Sequence, residues 1–574
     1  MTPTQDTDTN PSTVSPKPAG KPFWLKLFGH DISAPLFLLV LSLFLFVPGQ
    51  WTVPPLDRDE PRFTQATKQM LETGNYVDIR FQDEARYKKP IGIYWLQAAA
   101  AELSGKGADA PLWVYRLPSL IGATMAVLAS FWLARAFMGP AGALLAGIFV
   151  ACAIIVGVEA RLAKTDAVLF LTIILAQGAL ARIWIRRPDK RLWGLGFVFW
   201  TALAASVLIK GPVGLMVVGL TVVLLAAMER GIKWFRAAVP LWGFIWFVLL
   251  VVPWFVAIWA ATDGAFFTEA IGRDLLGKVG QGQESHGAPP LTHLAAMFGT
   301  FWPLPAFFLA CLPVIWAQQK SPLVIFCFAW FVPSWIVFEL VATKLPHYTM
   351  PLLPALALPV AAALMDGGGG TRRWLRWVAA VVLALPAVGV AIAAFAGPFF
   401  LGNWPSPPGV VLSVFGALLA LAAAARIVRA ELMKAVLPSM SAAVLVAIGV
   451  WGFTGPALTA IWISPRLVAA INDVPDCSRP AVVTSGFNEP SFIFLEGTAT
   501  RIVSPQDAAG FLAKSGEGCR IAAIESRNED AFLGAAKSLG VVPMLVSRVE
   551  GLNINGGDET DIGLYRAAAP SHGQ

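Results

Sequence analysis

Between positions 34 and 461 the chain is a succession of long apolar runs separated by short polar stretches. The runs are continuous rather than alternating, so they predict bilayer-crossing helices and exclude the strands of a porin-type barrel. About 13 spans are expected, over residues 34–53, 111–137, 140–158, 164–185, 193–209, 212–228, 237–262, 291–317, 322–340, 345–364, 374–397, 409–429 and 436–461. Residues 1–22 are rich in Thr, Pro, Ser and Asp and predict a disordered tail. The first run follows Lys21, Lys26 and His30; it is too long for a signal-peptide core and predicts a retained signal anchor. Past about residue 462 the apolar segments shorten to strand length, at 481–484, 492–495, 520–524, 541–546 and 562–565. Helical patterns at 505–514 and 529–539 fall between them, which predicts a small α/β domain. The expected organisation is a tail (1–33), a polytopic helical membrane domain (34–461) with a large loop at 54–110, and a soluble α/β domain (462–574).

Composition agrees with this pattern. The 574 residues are 56% hydrophobic and 14% charged, with a mean hydropathy of +0.64, where soluble domains carry about 25% charged residues. The net charge of +7 sits largely in short loops, which marks orientation rather than nucleic-acid binding. With alternating spans, the N-terminal lysines, Arg186 to Arg191, Arg230 to Arg236, Lys320, Arg372 to Arg376 and Arg426 to Lys434 fall on one side. The positive-inside rule makes that side cytoplasmic. The other side receives 54–110, 159–163, 210–211, 263–290, 341–344, 398–408 and everything after about 462. The N-terminus is therefore expected in the cytoplasm and the C-terminus outside. Cys152, Cys311 and Cys327 lie in spans and read as small apolar residues. Cys477 and Cys519 lie in the outer domain, as a disulfide or as two free thiols; spacing leaves both open.

Five charged clusters map to the outer side: Asp57-Arg58-Asp59-Glu60-Pro61-Arg62, Glu159 to Asp166, Lys210-Gly211-Pro212, Glu284-Ser285-His286 and Thr343-Lys344-Leu345-Pro346-His347-Tyr348. Ionisable groups are expensive inside a bilayer, so their gathering at one face points to a site for a charged ligand. Each cluster also has a plainer reading. Asp59 or Glu60 can cap the amphipathic helix that Phe63, Ala66, Met70 and Leu71 predict at the interface, with Pro61 in its first turn. The run Arg86 to Trp95, with Lys88, Lys89 and Tyr94, can be an interfacial anchor. Thr165 or Asp166 can be an N-cap, Lys210-Gly211-Pro212 a turn. His286 can be a solvated loop histidine, and no metal-ligand spacing accompanies it. The functional reading makes Asp59 a base for an incoming hydroxyl and Lys89 a holder of lipid phosphate.

In this order the residues resemble a family. Asp59-Glu60-Pro61-Arg62, Lys89-Pro90-Ile91 with Tyr94-Trp95, Thr165-Asp166, Leu208 to Pro212, His286 with Pro289, and Lys344 to Tyr348 with Pro351 are similar to the aminoarabinose transferase-like membrane glycosyltransferases. These belong to the polyprenyl-phosphate-dependent GT-C class (GT83-type) and are related to the protein O-mannosyltransferases. The likeness covers roughly residues 35–365. It implies a GT-C membrane domain of about 13 helices, a bacterial inner-membrane location, and a periplasmic C-terminal domain. It also implies a polyprenyl (undecaprenyl) phosphate sugar donor and an acceptor that is a lipid, glycan or protein, as in lipopolysaccharide modification. Asp59 then matches the catalytic aspartate, with Asp166 as a second acid. Arg62, Lys89, Lys210 and Lys344 match donor-phosphate positions, and Arg58, Glu60, Tyr94, His286 and Tyr348 line the cavity. Where the family usually has an acid before the loop lysine, associated with a divalent metal, this chain has Lys88; a divalent metal stays open as a cofactor, and no metal ligand is assigned. The segment 282–291 also lacks an aromatic pair.

Two other classes are weighed. A polyprenyl-linked lipid transporter or flippase shares the anionic headgroup but predicts ionisable or helix-breaking positions deep in the spans. A silent scaffold would leave the clusters without a role.

Overall fold

The computed structural model describes residues 22–56, 59–186, 190–275, 277, 288–368, 372–514, 518–553 and 557–568. Among these, nine helices are long and apolar enough to cross a membrane, from Leu112–Ala134 to Leu432–Ala457. A tenth candidate is the pair Thr292–Thr300 and Leu304–Ala317, bent by 107°. Three apolar helices are shorter, Ser33–Phe46, Pro140–Cys152 and Val213–Met228. At 1.5 Å per residue the first is about 21 Å long, less than the ~30 Å hydrocarbon core, so flanking turns must complete any crossing.

The helices differ in how enclosed they are. Asp166–Arg186 and Pro346–Met365 are each 78% buried and form the centre, whereas Pro240–Thr262 is 17% buried and presents its apolar surface outward. A Cβ at Gly243 would lie 1.9 Å from the Trp200 ring, so Trp193–Lys210 and Pro240–Thr262 approach closely because a small residue stands there. Gly211 has φ 65° and ψ −138°, which suits glycine and turns the chain sharply after Lys210.

The 54–110 loop is ordered by the helix Asp59–Thr73, a short hairpin (Arg80–Phe81 with Glu84–Ala85) and the helix Gly92–Leu103. Asp59–Thr73 buries Phe63, Ala66 and Met70 but also Thr64, Gln65 and Thr67. It packs against Gly92–Leu103 and Pro490–Glu496, so it is held between protein layers and does not lie flat at a lipid interface.

After the helix Ile463–Asn472 comes a five-stranded sheet in the order Arg501–Ile502, Ala481–Ser485, Arg520–Glu525, Asp558–Ala567, Pro543–Asn553. The first three strands are parallel and the last two pair antiparallel. The 492–495 stretch, expected as a strand, lies in the helix Pro490–Glu496. Four apolar residues are too few for periodicity to decide, and Pro490 suits a first helical turn. Cys477 and Cys519 are disulfide-bonded, with Cα atoms 5.3 Å apart. This layer docks on the first loop. Gln65 donates to Thr498 Oγ1 at 2.7 Å, Thr498 donates to Glu72 at 2.8 Å, and the Tyr115 and Phe494 rings meet edge to face at 5.7 Å.

Candidate active site

The fold brings the first, second, third and fifth charged clusters together. Asp59 opens its helix with the carboxylate side chain 46% accessible, and Arg86 Nη2 lies 3.8 Å from Oδ1. Burial would lift this carboxyl, but the charges of Arg86, Lys164, Lys89 and Arg62 outweigh it and hold Asp59 below its ordinary value. Half-buried Arg62 thus belongs to the cationic surround of Asp59. Arg86 is buried and lies over the Phe63 ring at 4.8 Å. Tyr94 is fully buried with its ring 5.4 Å from Phe63; it backs this layer and does not line an open cavity.

Behind Asp59 lies a second layer of opposed charges. Glu159 Oε1 is 3.3 Å from Lys164 Nζ. Burial, reinforced by the charge of Asp166, lifts Glu159 to about 7 against the pull of Lys164. Asp166 stands at the start of Asp166–Arg186 and pairs through Oδ1 with Lys210, at the end of Trp193–Lys210. His347 bridges the two acids, Nδ1 3.7 Å from Glu159 Oε1 and Nε2 3.7 Å from Asp166 Oδ1. Tyr348 closes the side, its ring 5.5 Å from Lys210 Nζ and 5.1 Å from the His347 ring. Asp166 is therefore placed to orient Lys210 rather than to meet a substrate directly.

Glu60 does not line the cavity. It is fully buried, forked onto Arg116 (Nε to Oε1 2.7 Å, Nη2 to Oε2 2.9 Å), and accepts the Leu56 and Ala163 N–H groups at 2.7 and 2.9 Å. Arg116 also donates to the carbonyls of Gln50, Val53 and Pro54. The pair ties the segment Gln50 to Leu56 to the 159–166 loop. Gln97 adds a second tie, donating to the Ala163 carbonyl at 2.8 Å while accepting from Thr67 at 2.7 Å. Of the two adjacent acids, one is structural and the other faces out.

Lys89 Nζ contacts Asp274 Oδ2 at 2.9 Å and the Lys88 carbonyl at 3.0 Å. A phosphate reaching Lys89 would exchange with Asp274. Lys344 is buried and donates to the Val341 carbonyl at 2.7 Å, which closes its own turn. Arg58 and His286 lie outside the described residues. Sequence reasoning passed over Arg86, Glu159, Lys164 and His347, although all stand inside runs already singled out. It also passed over Arg116, which an arginine in an apolar span should have signalled. Nothing local marked Asp274.

Among the described residues, no set of three His, Cys, Asp or Glu side chains is arranged to hold a metal ion. Glu159, Asp166 and His347 come near one another, but the ammonium groups of Lys164 and Lys210 already face the two carboxylates. At the position the resemblance associates with an acidic metal contact, Lys88 offers an ammonium, which is no ligand. Among the described residues, those at this position do not fit a resident metal.

The comparisons with known proteins concern the sequence and the fold. Residues 88–259 match the family model described as dolichyl-phosphate-mannose-protein mannosyltransferase. The chain is 25% identical over 368 residues to an undecaprenyl phosphate-alpha-4-amino-4-deoxy-L-arabinose arabinosyl transferase of Pectobacterium carotovorum, covering 62% of this chain and 64% of that protein. To the corresponding transferase 1 of Pseudomonas fluorescens it is 27% identical over 365 residues, covering 59% and 58%. The matched stretch thus spans less than two thirds of these relatives' length. In structure, the chain superposes on ArnT from Cupriavidus metallidurans in the apo state with a TM-score of 0.70 at 18% identity, covering 94% of this chain and 97% of that one. The undecaprenyl phosphate-bound form gives 0.67 at 18% identity, covering 94% and 98%. The chain is therefore similar in sequence to the aminoarabinose transferase-like membrane glycosyltransferases and has their GT-C polytopic fold over nearly its whole length.

Proposed function

We propose that this protein is an inverting glycosyltransferase that takes a sugar from a polyprenyl phosphate donor, undecaprenyl phosphate in a bacterial inner membrane. The observation that carries the reading is Asp59, a half-accessible carboxylate kept ionised among Arg62, Arg86, Lys89 and Lys164. An acceptor hydroxyl gives its proton to Asp59 as its oxygen attacks the anomeric carbon. The bond from that carbon to the phosphate oxygen breaks on the opposite face, and the electron pair leaves on the phosphate. The phosphate gains negative charge in the transition state, where Lys89, Arg86 and Lys210 are available to stabilise it. Asp166 and His347 position Lys210. No nucleotide enters this chemistry, and no step is routed through a metal, because Lys88 replaces the acidic contact.

The reading places the reaction on the periplasmic face, with about 13 crossings, a cytoplasmic N-terminus and the 462–574 domain as a periplasmic soluble unit. The transferred group is a pentose or hexose, and the acceptor is an envelope lipid, glycan or protein. The names of the curated relatives support a pentosyl donor, while Lys88 and the 282–291 segment set this chain apart from them.

The test is mass spectrometry of envelope lipids, glycans and proteins from cells with and without the chain. One sugar missing from one acceptor class supports the proposal and names the acceptor. Unchanged glycosylation, with movement of a polyprenyl-linked headgroup across reconstituted vesicles, would replace it with transport.

A further inference from the structure

Two buried polar atoms beside the proposed site have no hydrogen-bond partner among the described residues. One is Oε2 of Glu159, whose Oε1 faces Lys164 and His347. The other is Nε2 of His293, a residue only 1% exposed that lies outside every charged cluster of the sequence. A row of side chains joins them. His347 lies beside Glu159, the Tyr348 ring is 5.1 Å from the His347 ring, and the His293 ring is 6.3 Å from Tyr348. The three elements that carry this row, Ile154–Glu159, Pro346–Leu352 and Thr292–Thr300, pack on one another. The backbone around His293 is also held. Glu339, on the helix Pro322–Leu340, accepts the Leu291 and Leu294 N–H groups at 3.0 and 3.3 Å. The imidazole therefore has a fixed seat and an unmet hydrogen bond.

Buried polar atoms in folded proteins nearly always have a partner, so two orphans on one packed row mark a place for a ligand group. The group they call for can be named. An anion is repelled by the ionised Glu159 carboxylate. An ammonium is disfavoured as well, because Glu159 and Asp166 already face Lys164 and Lys210, and the charge of Lys344 acts on His293 against that of Glu339. Among the described residues here, no carboxylate is left over to balance a further cation. A hydroxyl both donates and accepts, so it satisfies Glu159 in either protonation state and His293 in either tautomer. We propose that Glu159 and His293 bind hydroxyl groups of the donor sugar beside Tyr348, and so select a neutral sugar over an amino sugar. This rests on the proposed reaction and names its substrate class. The position suits it. Lys210, one of the groups available to the donor phosphate, lies 5.5 Å from the same Tyr348 ring, so the sugar sits next to its own phosphate.

The test titrates the full chain in detergent, by native mass spectrometry, with undecaprenyl phosphate and with undecaprenyl phosphates bearing glucose, L-arabinose or 4-amino-4-deoxy-L-arabinose. The last two differ by a hydroxyl against an ammonium. The native chain should bind the arabinose lipid about fivefold tighter than the amino-sugar lipid, the scale of one hydrogen bond. His293→Phe keeps a ring and removes Nε2. It should weaken whichever neutral-sugar lipid binds better by about fivefold, while undecaprenyl phosphate affinity and the melting temperature stay unchanged. His293→Gln, which returns a polar atom, should recover part of that loss, and Glu159→Gln should weaken the same lipid. Native affinity for it in either His293→Phe or Glu159→Gln, the result for atoms that meet only water, overturns the subsite. Equal or tighter binding of the amino-sugar lipid overturns it too, as does a loss in His293→Phe shared by undecaprenyl phosphate. A native chain that binds no undecaprenyl phosphate at all overturns the proposed reaction itself, and the subsite with it.

Discussion

Replacing Arg116 by Met tests whether the two outer loops are held together by one buried ion pair. In the native protein Glu60 and Arg116 are 0% and 1% exposed. The guanidinium makes two bonds to the carboxylate and three to the carbonyls of Gln50, Val53 and Pro54. Removing it strands a buried carboxylate with, among the described residues, the Leu56 and Ala163 N–H groups as its remaining donors, and leaves three carbonyls without that partner. Breaking a buried pair in this way costs about 3–5 kcal/mol. Replacing both partners, Arg116→Met with Glu60→Gln, removes the stranded charge and should recover roughly half of the loss, about 2 kcal/mol. The assay is thermal unfolding in detergent, together with hydrogen exchange at the amides around Leu56 and Ala163. The single variant should exchange fastest at those amides and the double variant should fall between it and the native chain. A single variant as stable as the native chain, or a double variant worse than the single, would refute the argument.

Four further outcomes follow from the same geometry. Lys89→Ala and Lys210→Ala should each weaken binding of undecaprenyl phosphate about tenfold or more, the loss of one charge-assisted contact; unchanged affinity in both removes them from the phosphate site. Asp274→Asn should tighten the same binding severalfold, since the anion no longer competes with a carboxylate for Lys89. Cys519→Ser should destabilise the 462–574 region by about 4 kcal/mol on loop-entropy grounds for a separation of 42 residues, read as earlier proteolysis there; an unaltered digestion profile contradicts it. For Glu159, raised from 4.5 to about 7, the native state holds a proton that the unfolded chain has released between those values. Stability from this group is therefore full below about pH 4.5 and lost as pH rises through about 7. Melting temperature should fall across that window, and Glu159→Gln should flatten the fall.

How much was readable in advance divides along physical lines. The apolar helices are legible because hydrophobic length is a strong, local signal, although among the described residues nine to ten, rather than about 13, are long and apolar enough to span. The strands at Ala481–Ser485 and Arg520–Glu525 announce themselves as short β-branched and small apolar runs, while Phe492 to Leu495 reads the same way and is helical. The candidate site is legible as a set of loops but not as a set of contacts. Asp59 and Glu60 are adjacent and chemically alike. Which one faces inward depends on Arg116, 56 residues away from Glu60. Lys89 finds its partner 185 residues on, at Asp274, where no pattern points to it. His347 lay inside a recognised cluster, yet only the meeting of three helix ends shows that it bridges Glu159 and Asp166.

The most direct measurement compares native protein with Asp59→Asn in a reconstituted transfer assay, once the envelope comparison has supplied donor and acceptor. The account predicts that transfer falls by about three orders of magnitude or more, the scale of a general base. Undecaprenyl phosphate should still bind and the melting temperature should stay within a degree or so of native. Transfer at the native rate by folded Asp59→Asn would contradict the account at its centre.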